Sequence, residues 1–391
     1  MLTGESIGEL RVEMEVRLFK PCVGKEELAN IELVFKRAWL GLGPLVSEFE
    51  KKWSDYIGSA SSLGVNSGTA ALHLALAGYG FKPGSKVLVP AITFVSTATA
   101  ALYNDLQPVF VDVDRETLSI SLTDLERKTD KTCVAVIPVH LGGHPAKMEE
   151  IVEFARQNSL TVIEDCAHCA GGAYKGKKLG TWGEVGCFSF EEKKCMTTGD
   201  GGMISSDDVD LIEQLKPHRW VGIDKDTWRR AGNYTLASDT DPRHWYYEVA
   251  VLGYKYNMND LMAAIGLAQL EKLDWMNQRR REAISRYLAG ISGCERMRPL
   301  LPYQLDGSSY WLFGVRCEMR DDLILHLKRR GIATGVHFLP LPRHPLFRGS
   351  EDEIPVADEE WKNLVTLPLF PELTGEEIDY VIEGLLEFDR L

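Results

Sequence analysis

Long apolar runs are missing from this 391-residue sequence. No stretch approaches the roughly 20 consecutive apolar residues that a membrane-spanning helix needs. The start, Met1–Ser6, has no basic segment followed by an apolar one, which a secretory signal would show. Internal repeats and low-complexity segments are also missing. These absences argue against a membrane or secreted protein and predict a compact protein of the cytoplasm.

The chain has fewer basic than acidic residues. Lys and Arg together number 44, against 57 Asp and Glu, so the formal net charge is −13. This balance argues against nucleic acid and anionic membranes as partners, because both attract basic surfaces. An anionic substrate would therefore require a local cluster of basic side chains.

Cysteine is present but poorly spaced for a metal site. Cys166-Ala167-His168-Cys169, followed by Cys187 and Cys195, could be read as a zinc or redox site. Closed zinc sites usually pair two close ligand turns, whereas Cys187 and Cys195 lie eight residues apart, with Phe188 and Phe190 between them. We expect no metal and, without a secretory signal, reduced thiols.

Apolar runs of strand length alternate with helical patterns through the first two thirds of the chain. With 45% apolar residues, a chain of this length can bury a large core and form more than one domain. The alternation predicts an α/β fold in which a mostly parallel sheet is flanked by helices. The predicted strands are Lys86–Pro90, Pro108–Val111, Cys133–Val139, Leu160–Glu164, Gly186–Phe190 and Gly202–Ser205.

The remainder of the chain has its own pattern. Two long helices, Met258–Leu273 and Trp275–Ile291, are predicted where the first pattern ends. We therefore divide the chain into a large domain with an N-terminal segment, residues 1–273, and a smaller α/β domain, residues 274–391. The predicted elements of the smaller domain are a Tyr310–Cys317 strand, an Asp321–Arg330 helix, an Ile332–Phe338 strand and a Gly375–Phe388 helix.

The most informative motif runs from Gly186 to Gly202. A short apolar run ends at Ser189, a lysine pair follows, and Gly199, Gly201 and Gly202 allow a tight turn. A lysine held between a strand-end hydroxyl and a glycine cluster is typical of a pyridoxal phosphate (PLP) site, since a desolvated amine can attack an aldehyde. The alternative is a solvated surface lysine.

Two further segments complete this pattern. Thr161–His168 reads as a buried strand that presents Asp165 at its carboxyl end, where a carboxylate could keep the PLP pyridine nitrogen protonated; the alternative is a helix cap. Asn66–Leu76 is predicted to be a polar turn followed by a helix, with Ser67, Gly68 and Thr69 as hydrogen-bond donors to the phosphate. The alternative is an ordinary capped helix. Phe94 follows a strand and could stack on a flat ring or pack in the core.

Taken together, these segments resemble the DegT/DnrJ/EryC1/StrS family of sugar aminotransferases, PLP enzymes of fold type I. The resemblance runs over nearly the whole chain. The motifs that carry it are Gly43–Glu50, Asn66–Leu72, Pro138–Leu141, Glu164–His168, Ser189–Gly202, Gly253–Met258 and Ala263–Leu267.

The resemblance implies a role for each matching residue. Lys194 would be the lysine that bonds to PLP, because the family pattern places it five residues after the serine, which excludes Lys193. Asp165 would pair with the pyridine nitrogen. The other implied cofactor contacts are His168 near the ring oxygen, Gly68, Thr69 and Ser189 at the phosphate, and Phe94 on the ring face.

The same resemblance implies a homodimer with shared active sites. The family often has Gly-Tyr-Asn-Tyr-Arg-Met where this chain has Gly253-Tyr254-Lys255-Tyr256-Asn257-Met258, and that motif reaches the neighbouring subunit's cofactor phosphate. Lys255, with Asn257, is predicted to take this role with a charged side chain. This chain also departs from the family at Cys166, where alanine is common, and at Glu191 and Lys193, where the family often has His-Pro-Thr.

Basic residues cluster where the family binds a nucleotide diphosphate, although each alone could be a solvated surface residue. His337 matches a family position that faces the substrate; it could equally be a buried strand-end histidine. The predicted substrate contacts are Arg219, Lys225, Arg229 and His337, within a wider basic set that includes His218, Arg230, Arg243 and Lys255.

The predicted activity is amino transfer, with L-glutamate as donor, to a nucleotide-linked keto-deoxysugar. Family members with histidine in place of the lysine are sugar dehydratases, and Lys194 argues against that outcome. The alternatives are an aminotransferase for a cyclitol ketone and a non-catalytic PLP-binding regulator. The sequence leaves the nucleotide, the ring carbon and the stereochemistry of the amine open.

Overall fold

The computed structural model describes residues 14–223, 247–304, 307–349 and 353–391. Its main sheet has seven strands in the order β1-β9-β8-β5-β4-β2-β3. Only β9 runs antiparallel to its neighbours in this sheet, so the predicted mostly parallel sheet is confirmed. The strands are β1 Ser61–Val65, β2 Lys86–Pro90, β3 Gln107–Val111, β4 Cys133–Val136, β5 Thr161–Asp165, β8 Val185–Ser189 and β9 Gly202–Ser206, with a hairpin of β6 Ala173–Tyr174 and β7 Lys177–Lys178 between β5 and β8.

Helices cover both faces of this sheet. Successive residues of a strand face opposite sides, and in β2 the buried Val87 and Val89 pack into one apolar cluster while Leu88 packs into another. Helices α3, α4 and α7 contribute to the first cluster, and α5 and α6 to the second. The helices of this part are α1 Lys25–Arg37, α2 Pro44–Ile57, α3 Gly68–Tyr79, α4 Ser96–Leu102, α5 Leu122–Lys128, α6 Met148–Asn158 and α7 Val209–Arg219.

A second, antiparallel sheet of three strands lies in the C-terminal part. Tyr287 stacks on Phe313 in its core, with ring centroids 4.8 Å apart. The predicted strand Ile332–Phe338 was wrong, since this segment forms only isolated bridges at Ile332 and Gly335. The elements here are β10 Met297–Pro299, β11 Phe313–Cys317 and β12 Leu364–Leu367, with α9 Arg320–Arg329, α10 Pro355–Glu360 and α11 Gly375–Asp389.

One helix joins the two parts. Helix α8, Asp260–Gly290, is continuous, so the prediction of two helices that separate near Asp274 was wrong. The predicted domain boundary after residue 273 falls inside this helix. The N-terminal segment also reaches the C-terminal part, because Val16 pairs with Ile332 and is buried in the core of the smaller sheet. The division into domains 1–273 and 274–391 therefore stays a prediction.

None of the helices in the described residues combines the length and the apolar composition that crossing a membrane requires.

Candidate active site

The carboxyl ends of β5 and β8 bring Asp165 and Ser189 to the same edge of the sheet. The two strands are parallel neighbours, with Asp165 opposite Cys187. A cavity of about 730 Å³ opens at this edge, as expected for an open α/β sheet. Eight of the predicted site residues line it: Gly68, Thr69, Phe94, Asp165, His168, Ser189, Lys194 and His337.

Lys194 lies in the loop that joins β8 to β9. Phe190 N–H donates to the Gly201 carbonyl oxygen at 2.8 Å, which closes this loop. Burial lowers the pKa of the Lys194 ammonium, and the nearby Asp165 carboxylate opposes this. A lysine with a lowered pKa has a larger fraction of neutral amine, the form that attacks a carbonyl carbon.

Asp165 is almost fully buried at the end of β5, with 4% of its surface exposed. Its Oδ2 accepts a hydrogen bond from Thr97 Oγ1 at 2.8 Å, and its Oδ1 accepts one from Ala167 N–H at 3.1 Å. Burial raises the pKa of the Asp165 carboxyl, while the Thr97 hydrogen bond opposes the rise. The carboxylate is thus fixed in direction and is positioned to pair with a cationic ring nitrogen.

The N-terminus of helix α3 is suited to binding an anion. The first N–H groups of a helix lack intrahelical partners, and the helix dipole favours negative charge there. Gly68 begins α3, and a Cβ at this position would lie 2.8 Å from the Cβ of Ser189. The Thr69 hydroxyl lies 2.6 Å from Ser96 Oγ. Gly68 therefore keeps the Ser189 hydroxyl close to the helix N-terminus, as a phosphate site requires.

His168 carries a buried nitrogen without a partner. Gly142 N–H donates to its Nδ1 at 3.4 Å, so the neutral ring has its proton on Nε2. Burial lowers the pKa of His168 well below its usual value. Within the described residues Nε2 has no hydrogen-bond partner. An unpaired buried donor in the cavity wall fits a ligand oxygen, such as the ring oxygen of PLP.

Two further predicted residues, Phe94 and His337, also line the cavity. Phe94 is 51% exposed, so it is not a core residue, and its ring centroid lies 6.1 Å from that of Phe338, which also lines the cavity. His337 Nδ1 lies 2.8 Å from Thr366 Oγ1, and burial lowers the pKa of His337 to about 4. At neutral pH His337 is therefore an uncharged hydrogen-bonding group.

Arg219 does not reach the cavity. It is 2% exposed, and its guanidinium donates to Glu50 Oε1 at 2.5 Å and to the Gly64 carbonyl oxygen at 3.0 Å. This buried ion pair argues against the predicted substrate contact and gives Arg219 a structural role instead. The predicted contacts Lys225 and Arg229 lie outside the described residues.

Lys255 and Asn257 lie beside the sheet edge and do not line the cavity of their own chain. Asn257 bridges to Val65 at the end of β1. Lys255 Nζ donates to Asn257 Oδ1 at 2.8 Å and lies 3.3 Å from the ring centroid of Trp220. Lys255 is exposed in this chain.

Some cavity residues were missed by the sequence analysis. Trp311 and Phe338 come from the smaller part of the chain, and their ring planes lie nearly parallel to that of His168. Thr97 was also missed; it lies in the short helix α4 and donates to Asp165 without lining the cavity itself. The run of small and hydroxyl-bearing residues after Phe94 is the pattern from which Thr97 could have been predicted. Nothing in the sequence places Trp311 beside Lys194.

The described residues contain one group with ligand atoms close enough for a metal, and its chemistry argues against one. His140, Cys166 and Cys169 have ligand atoms within 4.8 Å of one another. However, His140 Nδ1 accepts a hydrogen bond from Ala146 N–H at 3.1 Å, and its Nε2 donates to Glu164 at 3.1 Å. Both ring nitrogens are therefore already used.

Comparison with known proteins gives consistent matches. A model of the DegT/DnrJ/EryC1/StrS aminotransferase family matches residues 21–386. GDP-perosamine synthase of Escherichia coli O157:H7 is 32% identical over 377 residues, covering 95% of this chain and 98% of that protein. Helicobacter pylori PseC, an aminotransferase involved in the biosynthesis of pseudoaminic acid, has a TM-score of 0.89 at 25% identity and covers 96% of this chain and 100% of its own.

Spr1654 of Streptococcus pneumoniae has been solved in a PLP form and a PMP (pyridoxamine phosphate) form. The PLP form has a TM-score of 0.87 at 27% identity, with 96% of this chain and 99% of that chain covered. The PMP form has a TM-score of 0.88 over the same shares of the two chains.

Proposed function

The chain belongs to the DegT/DnrJ/EryC1/StrS aminotransferase family of PLP-dependent enzymes, and from this premise we propose that it transfers an amino group from L-glutamate to a nucleotide-linked keto-deoxysugar. The observation that carries the proposal is one cavity that holds Lys194, Asp165 and the N-terminus of α3 together. The similarity to a GDP-perosamine synthase supports a sugar attached to a nucleotide.

The residues of the cavity divide the work of holding PLP. The N-terminus of α3, with the Thr69 and Ser189 hydroxyls, would bind its phosphate. Asp165 would pair with the ring nitrogen, the His168 Nε2–H would donate to the ring oxygen, and Phe94 would cover the ring face. PLP, when bound, supplies an aldehyde carbon that bonds to amines and a ring that withdraws electrons from the substrate carbon.

Lys194 provides the acid–base chemistry. Its Nζ takes the proton from the donor carbon that bears nitrogen and returns one to the sugar carbon that receives the amine, so that one group serves as both base and acid. The lowered pKa of Lys194 suits both roles, because a general base works best with a pKa near the working pH. His337, uncharged at neutral pH, would hydrogen-bond the sugar.

We propose that the active unit is a cytoplasmic homodimer in which Lys255 and Asn257 reach the other subunit's cofactor phosphate. Their position outside their own cavity and the exposure of Lys255 support this arrangement. The cytoplasmic location is supported by the eight cysteines, all of which are free thiols. Lys225 and Arg229 remain the proposed contacts for the nucleotide diphosphate.

Borohydride reduction of the holoenzyme followed by peptide mapping tests the role of Lys194. We expect the pyridoxyl group on Lys194 and unchanged labelling in the matched control Lys193→Ala. A pyridoxyl group on Lys193 would contradict the assignment.

The substrate is tested separately. Glutamate alone should yield 2-oxoglutarate and the PMP form of the enzyme, and that form should then aminate UDP-, GDP- or dTDP-linked keto-deoxysugars. Amination of a cyclitol ketone, with no reaction of any nucleotide sugar, would overturn the substrate proposal. A lack of turnover with both acceptor classes would overturn the proposed activity.

A further inference from the structure

Trp311 makes two contacts with the lysine segment from the smaller part of the chain. Its indole Nε1–H donates to the carbonyl oxygen of Lys193 at 2.8 Å. The Nζ of the next residue, Lys194, lies 4.4 Å from the indole ring centroid. One side chain therefore holds both the backbone just before the lysine and the amine at the end of its side chain.

The indole is itself fixed in place. It is 5% exposed, and Trp311 N–H donates to the Gly142 carbonyl oxygen at 2.9 Å. The Phe19 ring stacks on it at 5.1 Å with an interplanar angle of 4°, and the His168 ring stacks at 4.1 Å with an angle of 13°. The rings that hold the indole come from the N-terminal segment and from the loop after β5, so its orientation does not depend on Lys194.

We propose that Trp311 is a positioning residue for Lys194. The indole N–H anchors the chain before the lysine, and the indole face holds the protonated Nζ in the cavity whenever the lysine is not bonded to the cofactor. The function of this arrangement rests on the proposed role of Lys194 in amino transfer. A lysine that is released in each turnover must stay within reach of the substrate carbon, and a loss of position of about 1 Å can cost roughly a hundredfold in rate.

The attraction has a defined sign. An ammonium within about 6 Å of a Trp ring is attracted by the negative face of the ring, which favours the charged form and so raises its pKa. Burial acts in the opposite direction. Other charged or titratable groups also face Lys194: Asp165, Glu191, Lys193, Cys195, His168, His337 and, at its carbonyl oxygen, Arg280. The test must therefore change the ring without moving these groups.

Fluorinated tryptophan at position 311 meets this requirement, because fluorine weakens the negative face while shape and N–H are kept. The pKa of Lys194 is measured in the apoenzyme by competitive acetylation with trace acetic anhydride and mass spectrometry. We expect a stepwise decrease with the number of fluorines, up to about 0.4 to 1.5 units. The same substitution at Trp275, which is 50% exposed, should leave Lys194 unchanged. A Lys194 pKa that does not respond to fluorination at position 311 would overturn the proposal.

The anchor is tested with benzothienylalanine at position 311, which keeps the bicyclic face but has sulfur in place of the indole N–H. One lost hydrogen bond should speed PLP dissociation roughly fivefold, measured by absorbance in the presence of a PLP trap. An unchanged dissociation rate would remove the anchoring role. The acetylation experiment needs neither PLP nor substrate, so its outcome is independent of whether the substrate proposed above is correct.

Discussion

Asp165→Asn removes one charge from the cavity and little else. The amide is nearly the same size as the carboxylate, and its oxygen can still accept the hydrogen bond from Ala167 N–H. The amide NH₂ would face the Thr97 hydroxyl, which can accept, because Thr93 Oγ1 lies 2.9 Å from Thr97 Oγ1 and can serve as its other partner. We therefore expect a folded protein in which the pyridine nitrogen has lost its anionic partner.

The two expected losses differ in size. Exchanging a charge-assisted hydrogen bond for a neutral one costs about 1 kcal/mol, so PLP binding should weaken roughly fivefold. Turnover should fall much further, by about 10²–10³-fold, which is typical when one group that stabilises developing charge is removed. The reason is that a ring nitrogen without its proton draws electrons poorly from the substrate carbon.

Steady-state kinetics at saturating PLP separate these losses. Thr97→Val is the matched control, because it removes the donor to Oδ2 but keeps the charge, and its kcat should fall by less than about tenfold. Near-normal kcat in Asp165→Asn would refute the role of Asp165. An equal loss in both variants would show that the hydrogen-bond geometry matters rather than the charge.

The same variant has a pH signature in the apoenzyme. Burial raises the folded-state pKa of Asp165 above its unfolded value of about 3.9, so the folded state binds this proton more tightly. The wild type therefore loses stability as the pH rises from the unfolded pKa through the folded pKa, and Asp165→Asn should be the more stable protein above that window. Urea unfolding at several pH values measures the difference, which should shrink as the pH falls towards 4.

Two further predictions concern residues outside the cavity. Arg219→Met should lower the free energy of unfolding by about 3–5 kcal/mol in urea titrations, since it leaves Glu50 without its buried partner, and Glu50→Gln in the same background should restore part of the loss. Mixing Lys194→Ala subunits with Lys255→Ala subunits should give activity above that of either parent, because a heterodimer places both defects at one site and leaves the other intact. If mass spectrometry confirms heterodimers and activity does not recover, Lys255 does not act across the interface.

The sequence was informative where function depends on local spacing. The strand end at Asp165 follows from a pattern of a few residues, and the family resemblance implied the register from Ser189 to Lys194. All three residues line one cavity. Arg219 was misassigned for a physical reason: a basic residue in a basic segment looks solvated, and its partner Glu50 lies far earlier in the chain. Trp311 was missed because its contact with Lys194 depends on how the second sheet packs.

The element predictions failed for similar reasons. The break near Asp274 was placed by an apparent change of pattern, yet nothing in that stretch stops a helix, and α8 continues to Gly290. The segment Ile332–Phe338 has strand-like apolar residues but finds pairing partners only at isolated positions. Strand β1 was not predicted, because its small residues give little alternation between apolar and polar positions.

The pairing of Val16 with the segment around Ile332 has a consequence for synthesis on the ribosome. Val16 N–H donates to the Gly331 carbonyl oxygen at 3.0 Å, and Ala333 N–H donates to the Val16 carbonyl oxygen at 2.9 Å. Domains generally fold as they emerge, at about 5–20 residues per second, so this early segment waits roughly 20–60 s for its partner. During that time the apolar side chain of Val16 is available to chaperones, and the cavity wall that includes Phe19 is completed only near the end of translation.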